Sequence, residues 1–256
     1  MLERAAFDRA TFVRPVAHRG LHAVDRGIIE NSAPAFEAAI AGRYAIECDV
    51  QPAADGSPVV FHDTALSRLV DAPGLTSDYT PAQLTRMTYR GDPSARILRL
   101  GDLLDLVAGR VPLFVEIKSE WAPPDMAFLR SVADEASAYH GPLALMSFDP
   151  PVVAAIKDLA PGLPRGIVSG LYDASWWPGK LDAERAARLS HLLESRAAAP
   201  DFFAYHVKAL PTPVTRFVRE VLGMPLFTWT VRTAGELASA RTWADAPIFE
   251  DVDPKV

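Results

Sequence analysis

AIECDVQ, residues 45–51, has the apolar alternation of a buried β-strand and carries two carboxylates, Glu47 and Asp49, on either side of Cys48. Side chains on a strand alternate sides, so Glu47 and Asp49 project from one face while Ile46, Cys48 and Val50 project from the other. Two like charges that close raise each other's pKa unless a cation or a shared proton neutralises them. A divalent metal ion meets that need.

The next strand-like run, PVVFHD at 58–63, follows after PAADGS alone, which is too short for a crossover helix. Asp55-Gly56 is a hairpin signal, so this run is an antiparallel partner of the first. Seven further apolar runs bounded by turn residues recur along the chain: PVAHRG 15–20, PLFVEIK 112–118, LALMSF 143–148, RGIVS 165–169, FFAYHV 202–207, PLFTWTV 225–231 and PIFED 247–251. Helical patterns separate most of them. In SAPAFEAAIAG, Asn31 or Ser32 can cap, Pro34 suits the first turn, Gly42 can end the helix, and Phe36, Ala39 and Ile40 form an inward stripe. With the hairpin strand set aside, eight strands alternate with helices, the pattern of a single (β/α)8 TIM barrel over residues 1–256. Residues 64–97 read as an irregular insertion after the hairpin, followed by a helix in LGDLLDLVAG.

Hydrophobic residues at 49% and charged residues at 23% are ordinary for a globular chain of 256 residues, and the net charge of −6 argues against nucleic acid as a partner. One cysteine makes no intrachain disulfide. The N-terminal MLERAAFDRATFVRP places charges where a signal peptide has its apolar core, and no apolar run reaches the roughly 20 residues that span a bilayer. The expectation is a cytoplasmic chain without an integral membrane segment.

The polar residues of the strands gather at their C-terminal ends: His18 and Arg19, Glu47 and Asp49, Glu116 and Lys118, and His62 and Asp63 after the hairpin. In a barrel these ends share one mouth. Three carboxylates form an oxygen-rich set suited to Mg²⁺ or Ca²⁺ rather than to zinc. Arg19 and Lys118, the first of only five lysines, would bind an anion beside it, which together suggests phosphate. Displacement at phosphorus needs a base for the attacking oxygen and an acid for the leaving one, and His18 and His62 are the candidates. Each pair has a blander reading. Glu47 with Asp49 could be a solvated face, but a parallel barrel strand is covered on both sides. Glu116 with Lys118 could be a structural ion pair. Asp63 reads as a turn or His-orienting residue, and Cys48 as a small hydrophobe. His22, His140 and His191 read as surface residues, and His206 and Lys208 as structural.

VAHRG at 16–20, EN at 30–31, ECDV at 47–50, DGSPVVFHD at 55–63, VEIK at 115–118 and TWTV at 228–231 resemble, in order, the signatures of the glycerophosphodiester phosphodiesterases. The resemblance covers 14–118 strongly and 225–256 weakly. It implies a TIM barrel with an insertion after the HD pair, and Mg²⁺ or Ca²⁺ held by Glu47, Asp49 and Glu116. It implies His18 and His62 as the acid/base pair and Arg19 and Lys118 on the phosphate, with Asn31 near the mouth and Trp229 beside the glycerol. The implied reaction takes a small glycerophosphodiester to glycerol 3-phosphate and an alcohol, through attack by the glycerol 2-hydroxyl. The C-terminal WADAPIFEDVDP departs from the family pattern and puts Glu250 where a small or polar residue is usual. Two alternatives stand beside this reading: a lysophospholipase D-type hydrolase, and a noncatalytic barrel that binds phosphate esters.

Overall fold

A computed structural model describes residues 7–172 and 176–255. In chain order the elements are α1 (Arg9–Phe12), β1 (Val16–Ala17), α2 (Ala33–Ala41), β2 (Ala45–Pro52), β3 (Pro58–Val60), α3 (Pro81–Leu84), β4 (Thr88–Tyr89), β5 (Asp92–Arg96), β6 (Leu98–Arg99), α4 (Leu100–Val107), β7 (Leu113–Ile117), α5 (Met126–Ala138), β8 (Leu143–Ser147), α6 (Pro150–Leu159), β9 (Arg165–Ser169), α7 (Ala183–Ser190), β10 (Phe202–His206), α8 (Pro213–Arg216), β11 (Leu226–Val231), α9 (Ala234–Trp243) and β12 (Ala246–Phe249). All nine expected strands are present. The sheet order is β1-β12-β11-β10-β9-β8-β7-β2-β3-β6, and β1 also pairs with β2, so that eight strands have the order of a (β/α)8 barrel and β3 and β6 are appended to it. The fold class is the TIM barrel expected from the sequence. Among the described residues no helix is long and apolar enough to cross a membrane.

By contact density the chain divides into two units. The first comprises residues 17–118 and 125–143, and β2 is its organising strand. β2 runs parallel to β7, with Asp49 opposite Glu116, and antiparallel to β3, with Val50 opposite Val60. The hairpin between β2 and β3 turns at Gly56, whose φ of +80° is left-handed and suits a residue without a Cβ. Ile46, Cys48 and Val50 are fully buried on one face of β2, as the alternation predicts. Around it, α4 buries Leu100, Leu103, Leu104 and Val107, the i, i+3, i+4, i+7 stripe of an amphipathic helix. In α2, Ala35, Phe36 and Ala39 are buried and Ile40 only half so, one position from the expected stripe.

Residues 64–97 are better ordered than their sequence suggests. They fold into two 3₁₀ turns, Leu66–Arg68 and Thr76–Asp78, the short α3, and a β4–β5 hairpin. Leu66, Val70, Leu84, Tyr89, Ala95 and Ile97 join Ala53, Val59 and Phe61 in one apolar cluster. No single period links those positions, which is why the segment reads as irregular.

The second unit comprises residues 7–16, 119–124, 144–172 and 176–255. Its strands pair in parallel from β8 through β12, with Ile167 opposite Phe203 and Phe203 opposite Leu226. Phe202, Phe203, Ala204 and Tyr205 are all buried, the near-continuous apolar run of a strand covered on both faces. Trp229 of β11 joins Trp121, Phe148, Tyr172, Trp176 and Trp177, which lie outside the strands, in one aromatic cluster with neighbouring centroids 5.0–6.3 Å apart. Glu250, the departure noted in the sequence, pairs with Arg232 and donates its N–H to the Val231 carbonyl at 3.0 Å.

Candidate active site

The first unit brings together seven of the nine residues singled out for chemistry and places His62 close behind them. Glu47, Asp49 and Glu116 are buried, and one oxygen from each lies within 4.8 Å of the others. The alternation on β2 and the parallel register with β7 produce this, since Asp49 and Glu116 are direct partners and Glu47 stands two residues along on the same face. Lys118, two residues beyond Glu116, places its Nζ 2.7 Å from Asp49 Oδ1 and against Glu116 Oε1.

β1 ends at Ala17 and the chain then turns sharply. Arg19 has a φ of +55° and Gly20 one of +78°. A Cβ on Gly20 would meet the Ala35 carbonyl carbon at 2.8 Å, so the turn packs against α2 only with glycine there. That turn aims two successive residues at the acids. The His18 Nε2 lies 3.9 Å from Glu47 Oε2, and the Arg19 backbone N–H donates to the same oxygen at 2.8 Å. The Arg19 side chain then reaches Asp49 Oδ2 at 3.2 Å through Nε and donates to Glu30 Oε1 at 2.7 Å through Nη1.

Asn31 also sits at a left-handed φ of +54°, a region asparagine enters more readily than most other side-chain-bearing residues. Its Nδ2 donates to Asp49 Oδ2 at 2.8 Å and its Oδ1 accepts the Asp49 N–H at 3.3 Å. Its geometry is therefore that of a residue holding Asp49, while the resemblance implied a place on the substrate. His62 follows β3, and its carbonyl accepts from the buried Gln51 Nε2 at 2.9 Å. Its Nδ1 lies 2.8 Å from Asp63 Oδ1, the orienting role foreseen for Asp63.

The electrostatics of Glu47 and Asp49 differ sharply. Burial, then Asp49 and Glu116, pushes the Glu47 carboxyl well above its ordinary range. Burial opposes charge on Asp49 as well, but Lys118, His62, Arg19 and His18 outweigh it and hold Asp49 well below. Burial disfavours the Lys118 ammonium, and Asp49 and Glu116 more than restore it. Glu47 Oε1 is buried with no hydrogen-bond partner, an arrangement native proteins avoid without cause. Three carboxylates, one orphaned oxygen and no sulfur on that face fit a hard divalent cation, since Cys48 points to the opposite side. Burial also pushes the Cys48 thiol up, away from reactivity.

Sequence reasoning missed two contributors. Glu30 accepts from Arg19 and, through both oxygens, from Arg68 at 2.7 and 3.0 Å. Arg68 Nε also meets Asp63 Oδ2. Glu30 was in view within the EN pair, but Arg68 lies in the segment read as irregular and carried no signal. Trp229 belongs to the second unit. Its indole N–H points to the carbonyls of Ser169 and Ala204 at 3.1 and 3.2 Å, and its ring lies among Phe148, Trp176 and His206. His206 sits between Trp176 and Trp229, and burial lowers its pKa, in keeping with a structural histidine. His140 and His191 are exposed, whereas His22 is half-buried.

The fold is similar to that of a phosphodiesterase from Oleispira antarctica, whose structure is a complex with the product sn-glycerol-3-phosphate (TM-score 0.73, 22% identity, 94% of each chain covered). It is equally similar to a putative glycerophosphoryl diester phosphodiesterase from Silicibacter pomeroyi (TM-score 0.73, 24% identity, 93% of this chain and 90% of that one). In sequence, the chain is 34% identical over 173 residues to a probable glycerophosphodiester phosphodiesterase 1 of Mycobacterium tuberculosis; the match covers 58% of this chain and 61% of the relative's length. It is 35% identical over 108 residues, 40% of the chain, to a glycerophosphodiester phosphodiesterase of Bacillus altitudinis. The model of one family matches residues 18–252, a span that contains every acid, base and cation of this site, and by that match the chain belongs to the glycerophosphoryl diester phosphodiesterase family.

Proposed function

We propose that the protein hydrolyses small glycerophosphodiesters to glycerol 3-phosphate and an alcohol, with a divalent cation, Mg²⁺ or Ca²⁺, held by Glu47, Asp49 and Glu116. The observation that carries this reading is the convergence of three buried carboxylates within 4.8 Å, flanked by Arg19 and Lys118. The cation would supply Lewis-acid stabilisation of charge on phosphoryl oxygens and lower the pKa of a hydroxyl bound to it.

The protein's own residues do the rest. Arg19 offers a planar fork and Lys118 a point charge to the phosphate. Asp63 is ionised at neutral pH, since its carboxyl is held at about 2: burial opposes this, and the hydrogen bonds from His62 and Arg68 override it. An ionised carboxylate can only accept, so His62 carries its hydrogen on Nδ1 and keeps Nε2 for proton transfer. His18, beside Glu47, is the partner in that transfer, and the two histidines exchange acid and base roles between the forming and the leaving oxygen. Asn31 keeps Asp49 in place, and contact of Asn31 and Trp229 with the substrate is proposed on the resemblance alone. Residues 1–256 are read as one catalytic domain with 64–97 as its insertion.

The test is alcohol release from glycerophosphocholine and its headgroup analogues in Mg²⁺, in Ca²⁺ and in EDTA. Turnover with one of the ions and none in EDTA is expected. No turnover with either ion for any headgroup would overturn the reading.

A further inference from the structure

The contacts around the acids continue outward in one unbroken line. His62 Nδ1 meets Asp63 Oδ1 at 2.8 Å, Asp63 Oδ2 meets Arg68 Nε, the two Arg68 Nη atoms take both Glu30 oxygens at 3.0 and 2.7 Å, and Glu30 Oε1 takes Arg19 Nη1 at 2.7 Å. Charges alternate at every step from Asp63 to Arg19. We propose that Arg68 is a positioning residue of this site, its guanidinium fork holding Asp63 and Glu30 at the spacing that orients the His62 imidazole and the Arg19 guanidinium together. The inference rests on the hydrolase reading and adds to it the use of the 64–97 segment.

Three observations carry it. Arg68 uses Nε on one carboxylate and both Nη atoms on the other, a bidentate geometry that fixes angle as well as distance and that a lysine cannot reproduce. The side chain is 45% exposed, so its ion pairs add little to folding stability, and their arrangement needs another reason. Its backbone is anchored: Arg68 ends a 3₁₀ turn whose first residue, Leu66, is fully buried in the apolar cluster of the segment. Without Arg68, Asp63 loses the group that holds its second oxygen, and Glu30 is free to turn both oxygens onto Arg19. The first change loosens the base and the second draws the anion-binding fork away from substrate.

The experiment compares Arg68→Ala, Arg68→Lys and the control Arg90→Ala, which removes an exposed ion pair to Asp71 from the same segment. Steady-state kinetics on glycerophosphocholine with Mg²⁺, melting temperature, and ¹⁵N spectra of histidine-labelled protein are read for each. Arg68→Ala is expected to lower kcat/KM by about 10²-fold, with both kcat and KM affected, as displacement of catalytic groups by about an ångström does. The His62 signals shift from the Nδ1–H toward the Nε2–H tautomer, the melting temperature stays near that of Arg90→Ala, and Arg68→Lys restores little. Wild-type kinetics in Arg68→Ala, full activity in Arg68→Lys, or an unchanged His62 tautomer would each overturn the proposal. Should Arg68→Ala not fold, Arg68→Lys, which keeps the charge and loses the fork, carries the same comparison. If the wild-type protein itself shows no turnover, the hydrolase reading fails, and the His62 signal still decides whether Arg68 orients the imidazole.

Discussion

Replacing Glu47 by glutamine separates the cation's contribution from that of the fold. The side chain is 1% exposed, its Oε2 accepts the Arg19 N–H at 2.8 Å, and its Oε1 has no partner. Because burial and the neighbouring acids push its carboxyl well above the ordinary value of 4.5, Glu47 is protonated in the metal-free protein over a range where free glutamate is ionised. Glutamine has the same shape and neutrality. The metal-free variant is therefore expected to melt close to wild type, and in EDTA its stability relative to wild type rises with pH. The sign follows from linkage: a group whose folded pKa is raised stabilises below the unfolded value, and that contribution fades as pH climbs toward the folded one. With the cation present the order reverses. Loss of one charged oxygen from a buried site costs about 3 kcal/mol, near the lower end for breaking a buried charge pair, which is about 10²-fold in affinity. At millimolar cation that same energy is missing from ligand stabilisation, and for a chain of this size about 3 kcal/mol corresponds to roughly 6–12 °C. Differential scanning fluorimetry with Mg²⁺ or Ca²⁺ against EDTA, supported by calorimetric titration, measures both quantities. An equal cation-induced shift in Glu47→Gln and wild type would refute the assignment of Glu47 as a ligand, and a large loss of stability in EDTA would refute its protonated state.

Other substitutions test the remaining parts. His18→Ala and His62→Ala are each expected to lower kcat by about 10²–10⁴-fold, the usual worth of a positioned acid or base, while leaving the cation-induced melting shift nearly intact. Asp63→Asn puts an amide against His62 Nδ1 and should lower kcat without altering that shift. It should also flatten acid unfolding: Asp63, held at about 2 against an ordinary 3.8, contributes stability above 3.8 that is lost as pH falls toward 2, and partial exposure limits this to about 1 kcal/mol. Gly20→Ala forces a Cβ to within 2.8 Å of the Ala35 carbonyl carbon at a left-handed φ, and should cost about 1–3 kcal/mol in urea unfolding and displace His18 and Arg19 together.

The strands were legible as short apolar runs bounded by turn residues, and the acids because side chains on a strand alternate with a period of two. Alternation put Glu47 and Asp49 on one face, the apolar runs marked all nine strands, and Asp55-Gly56 marked the antiparallel turn from β2 to β3. The left-handed backbone at Arg19 was not legible, since arginine does not announce it, and at Asn31 asparagine's tolerance of that region is too common to mark one position; that backbone accompanies the approach of both side chains to Asp49. Nor was the 64–97 segment, where an apolar cluster is assembled from 3₁₀ turns and a short hairpin that share no period. Arg68 was hidden for the same reason. Its use depends on Glu30 and Asp63, which lie 38 and 5 residues away along the chain and meet only once the segment has folded.

The contact network of the first unit also explains why the acids are not a flaw in the core. Full ionisation would set five carboxylates, Glu30, Glu47, Asp49, Asp63 and Glu116, against three cations, Arg19, Arg68 and Lys118, an excess of two negative charges. Glu30 and Asp63 have their pKa values lowered despite burial, Glu30 by Arg68 and Arg19 and Asp63 by His62 and Arg68. Asp49 is held down by Lys118 and Arg19 in the same way. Part of that excess falls on Glu47, whose Oε1 has no hydrogen-bond partner and whose carboxyl burial and the neighbouring acids push well above its ordinary range. A divalent cation bound there would carry the charge that the network lacks and would displace the Glu47 proton, so cation affinity should rise with pH until Glu47 is ionised.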